Sequence, residues 1–159
     1  MLLSRLIYME ELCLQDVGST SVWSLTDTDF GSLLSHLPNL RKLVANIDLY
    51  RLGAVPLDAI ANCCPMMKSI EMLFLSVDFM ALKWDSRAAL MLPQLKTLKV
   101  SGLGFSVQGE DRSSRYAGIH AVATIIRRHL PKLEYLDFAD PDFLEDEELL
   151  EIWESMGST

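Results

Sequence analysis

Three stretches of this chain spell one phrase at one spacing, and two more spell it loosely. Leu37-Pro38-Asn39-Leu40-Arg41-Lys42-Leu43, Leu92-Pro93-Gln94-Leu95-Lys96-Thr97-Leu98 and Leu130-Pro131-Lys132-Leu133-Glu134-Tyr135-Leu136 share their leucines and their proline. Cys64-Pro65-Met66-Met67-Lys68-Ser69-Ile70 keeps the proline and replaces the leucines with other apolar residues. Leu6-Ile7-Tyr8-Met9-Glu10-Glu11-Leu12 keeps the leucine ends without the proline. The closing residues Leu12, Leu43, Ile70, Leu98 and Leu136 lie 31, 27, 28 and 38 residues apart. Units of that length do not bury an apolar face alone; they do so by stacking on copies of themselves.

Each phrase runs into a short strand. Leu12 and Leu14, Leu43 and Ala45, Ile70 and Met72, Leu98 and Val100, Leu136 and Phe138 stand two residues apart. That spacing puts each pair on one face of a strand. Between the strands the period changes to that of a helix. Phe30, Leu33, Leu34 and Leu37 form one stripe, with Asp27 or Thr28 as its N-cap. Pro56 opens a second, with Leu57, Ile60, Ala61 and Cys64. Residues 87–92 read as a shorter helix, and Tyr116, Ile119, Val122, Ala123, Ile126 and Leu130 form the longest stripe. Strand, helix and parallel strand in succession give an α/β protein with right-handed crossovers.

At these phrases the chain resembles the leucine-rich repeat family, whose longer, helix-containing repeats have periods near those seen here. The resemblance covers roughly residues 5–140, within a repeat domain expected to span 1–140. It implies a solenoid of about five repeats, with a curved parallel sheet on the concave face and helices on the convex face. The chain departs from the family where an asparagine or cysteine usually follows the strand. Val17, Asp48, Leu75, Leu103 and Pro141 stand there, so irregular turns are expected. No polar cap precedes the first phrase. The N-terminal edge is therefore expected to be covered by further sequence or by another chain.

Half of the 159 residues are hydrophobic and the mean hydropathy is +0.20, as one continuous aliphatic core requires. No apolar run reaches the ~18 residues of a membrane span. The start, Met1-Leu2-Leu3-Ser4-Arg5-Leu6, lacks the pattern of a signal peptide. Cys13, Cys63 and Cys64 are odd in number, two are adjacent, and no Asn-x-Ser/Thr acceptor occurs. These features place the chain inside the cell, in cytosol or nucleus, with buried thiols.

The net charge of −8 is uneven: from Glu134 onward there are ten acidic residues and no basic one. Residues 141–159 read as an acidic amphipathic helix. Asp140-Pro141-Asp142 starts it, and Leu149, Ile152, Trp153 and Met156 form the apolar stripe that would cap the last repeat. Such an acidic end repels nucleic acid.

The side chains that could carry chemistry do not assemble into a catalytic set. His36 and His129 precede two of the Leu-Pro phrases, and His120 lies within a helical stripe. Cys63 and Cys64 lack a second pair at metal-ligand spacing. Ser101-Gly102-Leu103-Gly104-Phe105 has neither a dinucleotide fingerprint nor a P-loop lysine. Residues 106–114 form a polar loop that lengthens the last repeat, and loops of that kind carry recognition. No catalytic residue, metal or cofactor is expected.

Alternation then assigns the outward face. If Leu12, Leu43, Ile70, Leu98 and Leu136 point inward, then Lys42, Glu71, Lys99, Tyr135 and Asp137 point outward. This face mixes charges and carries one aromatic, which suits a protein or peptide and not a nucleic acid. The expected function is non-catalytic protein–protein recognition on a concave surface. The Leu-Pro-x-Leu and Cys-Pro phrases look most like the irregular repeats of F-box proteins, which select substrates for a cullin-based ubiquitin ligase; no F-box is present here. The alternative is an acidic leucine-rich-repeat protein that binds basic proteins, of the histone-binding or inhibitor type.

Overall fold

A computed structural model describes residues 3–15, 26–46, 55–82, 84, 89–103 and 112–138. A 3-10 helix, Leu3–Tyr8, leads into β1, Glu11–Gln15. Then follow α1, Asp27–Ser35; β2, Lys42–Asn46; α2, Val55–Cys63; and β3, Ser69–Val77. The chain continues through β4, Thr97–Leu103, and α3, Arg112–His129, to β5, Tyr135–Phe138. The strands form one five-stranded sheet in chain order, and every pairing is parallel. Leu43, Ile70, Leu98 and Leu136 stand in register across it, as their shared place in the phrase requires.

The phrase works as a physical unit. In every copy the carbonyl of its first residue accepts the amide three residues on: Leu6–Met9, Leu37–Leu40, Cys64–Met67, Leu92–Leu95 and Leu130–Leu133, all at 3.0–3.2 Å. Those two residues are the ones that turn inward, while Pro38, Asn39, Pro65, Met66, Pro131 and Lys132 between them are exposed. Proline costs nothing there, because it offers no amide to a turn that needs none. Stacking comes from the fifth residue. The carbonyl of Glu10 accepts the amides of Arg41 and Lys42; Arg41 accepts Lys68 and Ser69; Lys68 accepts Lys96 and Thr97; Lys96 accepts Glu134 and Tyr135, at 2.7–3.1 Å. Each carbonyl spends both lone pairs on the following copy, so every phrase is tied to the one before it.

One face of the sheet is the core wall. Leu43, Ala45, Ile70, Met72, Leu98 and Val100 are fully buried there. Phe30 and Leu34 of α1, Leu57 and Ile60 of α2, and Val122 and Ile126 of α3 cover them. The first stripe is capped by Thr26, ahead of both expected candidates, Asp27 and Thr28. Its hydroxyl accepts the Asp29 amide at 3.2 Å, and the Asp29 carboxylate accepts the Thr26 amide at 3.2 Å.

Three local expectations are corrected. Of the stretch 87–92 expected to be helical, residues 89–92 are an irregular bend, and 87 and 88 lie outside the described residues. The crossover that contains them fills the core with Phe79 and Trp84, both fully buried, and the Trp84 indole donates to Asp58 Oδ1 at 3.1 Å. Leu75 and Leu103 belong to strands: β3 runs on through Leu75, which is buried, and Leu103 is the last residue of β4, while Val17, Asp48 and Pro141 lie outside the described residues. Two extra β3 residues are accommodated between Met72 and Ser76, where the register with β4 shifts. Finally, the polar stretch 106–114 ends earlier, because α3 starts at Arg112. Its residues 106–111, and the acidic segment 141–159, lie outside the described residues.

Candidate recognition face

Side chains opposite the core wall lie on the outer face of the sheet. Their places follow from register. Lys42, Ser69, Thr97 and Tyr135 form one row across β2 to β5. Val44, Glu71, Lys99 and Asp137 form the next. All five predicted residues therefore share this face, in two adjacent rows.

Only part of the set is in mutual contact. Lys99 Nζ lies 3.7 Å from Asp137 Oδ2 and 5.4 Å from the centre of the Tyr135 ring. The Tyr135 hydroxyl donates to Asp137 Oδ2 at 3.3 Å. The ammonium thus meets a carboxylate and an aromatic face together, an arrangement that orients all three groups. Tyr135 remains 46% exposed, so its ring is available to a partner. Glu71 is in register beside Lys99. Lys42 stands at the far end of its row, 3.8 Å from Glu11.

Sequence reasoning passed over a rim of charge just below this face. The fifth residues of the phrases are Glu10, Arg41, Lys68, Lys96 and Glu134. The end pairs are closed, Arg41–Glu10 at 3.4 Å and Lys96–Glu134 at 2.6 Å. The signal was present in the phrase itself, at the position just before each strand begins, where strand alternation does not apply. Phe74 was also missed: it is 43% exposed, beside the register shift in β3. Bulged strands re-aim side chains in this way.

The cysteines divide. Burial, reinforced by neighbouring Cys63, pushes the Cys64 thiol up to about 12, and it donates to the Leu37 carbonyl at 3.5 Å. It is a core group and not a nucleophile at neutral pH. Cys13 is exposed on the outer face, contrary to the expectation of buried thiols, because it occupies an outward position of β1. His129 is fully buried against Trp84, with ring centres 6.0 Å apart. His36 closes α1, its Nδ1 2.8 Å from the Ser32 carbonyl. His120 is exposed on α3. Among the described residues no three His, Cys, Asp or Glu side chains come together as a metal site, and no helix is long and apolar enough to cross a membrane.

No protein-family model matches the chain, and a search of curated proteins gives no match. Among solved structures, the C-terminal domain of tropomodulin from Caenorhabditis elegans is similar in fold. The likeness covers 97% of this chain and 88% of that one, with a TM-score of 0.57 and 14% identity. That domain has a leucine-rich-repeat-like fold, and the likeness speaks to fold alone.

Proposed function

We propose that the chain is a leucine-rich-repeat solenoid of about five repeats whose outer, concave face recognises a protein or peptide without catalysis. The observation that carries this reading is the Lys99–Tyr135–Asp137 cluster on an otherwise ordinary polar sheet face. An exposed aromatic held by its neighbours loses little conformational freedom on binding, and aromatics anchor interfaces more often than isolated charges do. The five identical turns support the repeat reading, because they divide the described chain into stacked units. Substrate selection of the F-box kind, in an intracellular setting, is the finer form of the proposal and rests on the phrases alone. The acidic C-terminal segment motivates the second reading, a binder of basic proteins.

The test is capture of partners from cell extract by wild type and by Tyr135→Ala with Lys99→Glu. Both side chains are on the surface, so folding is retained. Loss of specific partners in the variant supports the outer face. Equal recovery removes it and leaves residues 106–114 or the acidic segment after Asp142 as the recognition element. Turnover of a substrate by the purified protein would overturn the non-catalytic reading.

A further inference from the structure

The middle and the ends of the sheet carry opposite charge. On β2, β3 and β4 the rim position and the first two outward positions hold Arg41, Lys42, Lys68, Lys96 and Lys99 against one carboxylate, Glu71. The same positions on β1 and β5 hold Glu10, Glu11, Glu134 and Asp137 and no cation. The backbone fixes the crowding. Lys68 takes the carbonyl of Arg41 and offers its own to Lys96, so the three cations start from adjacent strands about 4.8 Å apart. Like charges so placed repel one another. Arg41 and Lys96 find carboxylates on their far sides, whereas Lys68 has a cation on either side.

We propose that this block is the docking site for an acidic polypeptide segment of a partner protein, with Lys68 at its centre and Arg41 and Lys96 flanking it. The inference rests on the recognition reading above and names the chemistry of the partner. The existing pairs do not obstruct it. Arg41–Glu10 and Lys96–Glu134 are exposed, and exposed pairs of that kind exchange partners at little cost. The width of the block selects the ligand. From β2 to β4 it spans about 10 Å at the usual strand spacing, and carboxylates bound it on both sides. A short acidic stretch fits within those limits. A nucleic acid running across the sheet passes from the cations onto Glu10 on one side and Glu134 on the other. The block also offers Val44, Ser69 and Thr97 between its charges and no aromatic for base stacking.

The experiment titrates the full chain into a fluorescein-labelled oligoglutamate and follows anisotropy at low salt. Wild type is expected to bind, with affinity falling as salt rises. Arg41→Glu with Lys68→Glu and Lys96→Glu should weaken binding by about tenfold or more. Arg127→Glu with Arg128→Glu on α3 is the control for net charge and should change it little. Should the triple variant not fold, Lys68→Ala serves alone: it relieves repulsion and should still weaken binding about threefold. No binding by wild type, or equal loss in the α3 variant, overturns the proposal. So does equal or tighter binding of a single-stranded oligonucleotide of the same charge. Partner capture that is lost with Tyr135→Ala but unaffected by Lys68→Ala would leave the outer-face reading standing and remove this one.

Discussion

The two ends of the strands obey different rules. At the leading end, all five turns share one hydrogen bond at 3.0–3.2 Å, and each is locked to its neighbour through a doubly used carbonyl. Toward the trailing end the described strands are less uniform. β1, β2 and β5 are described as Glu11–Gln15, Lys42–Asn46 and Tyr135–Phe138, whereas β3 runs on to Val77 through a register shift. The leading turn is coded locally, by two inward apolar residues with a proline between them in four of the five copies. After the strands the sequence repeats no side chain: Val17, Asp48, Leu75, Leu103 and Pro141 stand at the matching position. The end that is coded can therefore be uniform, and the end that is not can differ from repeat to repeat.

Core deletion at the leading end gives the largest expected effect. Leu98 closes the fourth phrase, is fully buried and sits in register between Ile70 and Leu136. Leu98→Ala should cost about 2–5 kcal/mol, read as a lower midpoint in chemical denaturation. The trailing counterpart is Phe74→Ser, which should shift stability by no more than about 0.5 kcal/mol because the ring already faces solvent. Equal costs would abolish the distinction between the two ends.

The crossover from β3 to β4 tests the middle ground. Trp84 is buried and its indole donates to Asp58 of α2 at 3.1 Å. Trp84→Phe keeps most of the apolar surface and removes the donor. A loss of about 1–3 kcal/mol is expected, that of a part-buried hydrogen bond whose acceptor is left without this donor. An unchanged midpoint would mean that the crossover contributes bulk alone.

How much of this could be read in advance follows the same division. Leu43, Ile70, Leu98 and Leu136 announced their register, because alternation and repetition agree at those positions. The outward phase of Lys99, Tyr135 and Asp137 followed from it. Thr26 escaped, although Thr26-Asp27-Thr28-Asp29 has the spacing of a reciprocal cap, since Asp27 and Thr28 offer themselves for the same role on sequence alone. Residues 89–92 looked helical and are not. Their crossover is held by Phe79 and Trp84, large side chains with no period to announce them. Leu75 was placed in a turn by counting along the repeat, and the shift between Met72 and Ser76 breaks the count. The rim cations were visible as letters. Their meaning required knowing that successive phrases share carbonyls.

The N-cap gives a smaller effect with a defined pH dependence. Thr26→Ala should cost about 1 kcal/mol. The hydrogen bonds from Thr26 hold the Asp29 carboxyl below its ordinary value. A depressed carboxylate contributes stability above the pKa of the unfolded chain, about 3.9, and loses it as pH falls through the folded value. The gap between wild type and Thr26→Ala should therefore narrow below about pH 4. A gap constant from pH 7 to pH 3 would show that Asp29 plays no part in the cap.

A small effect is also expected at the rim, and its smallness carries the argument. Lys96 Nζ and Glu134 Oε1 are 2.6 Å apart, but both side chains are at least half exposed. Solvent and salt screen such a pair, and holding two long side chains together costs rotamer freedom. A double-mutant cycle with Lys96→Met and Glu134→Gln should return a coupling of about 0–1 kcal/mol that vanishes in high salt. The leading turns would keep their geometry regardless, because backbone carbonyls tie them and not charges. A coupling well above 1 kcal/mol would make the rim part of the frame, and its cations would then need no partner to explain them. A negligible coupling leaves three adjacent cations that the fold does not require, which is the condition under which a docking role is the better account of their presence.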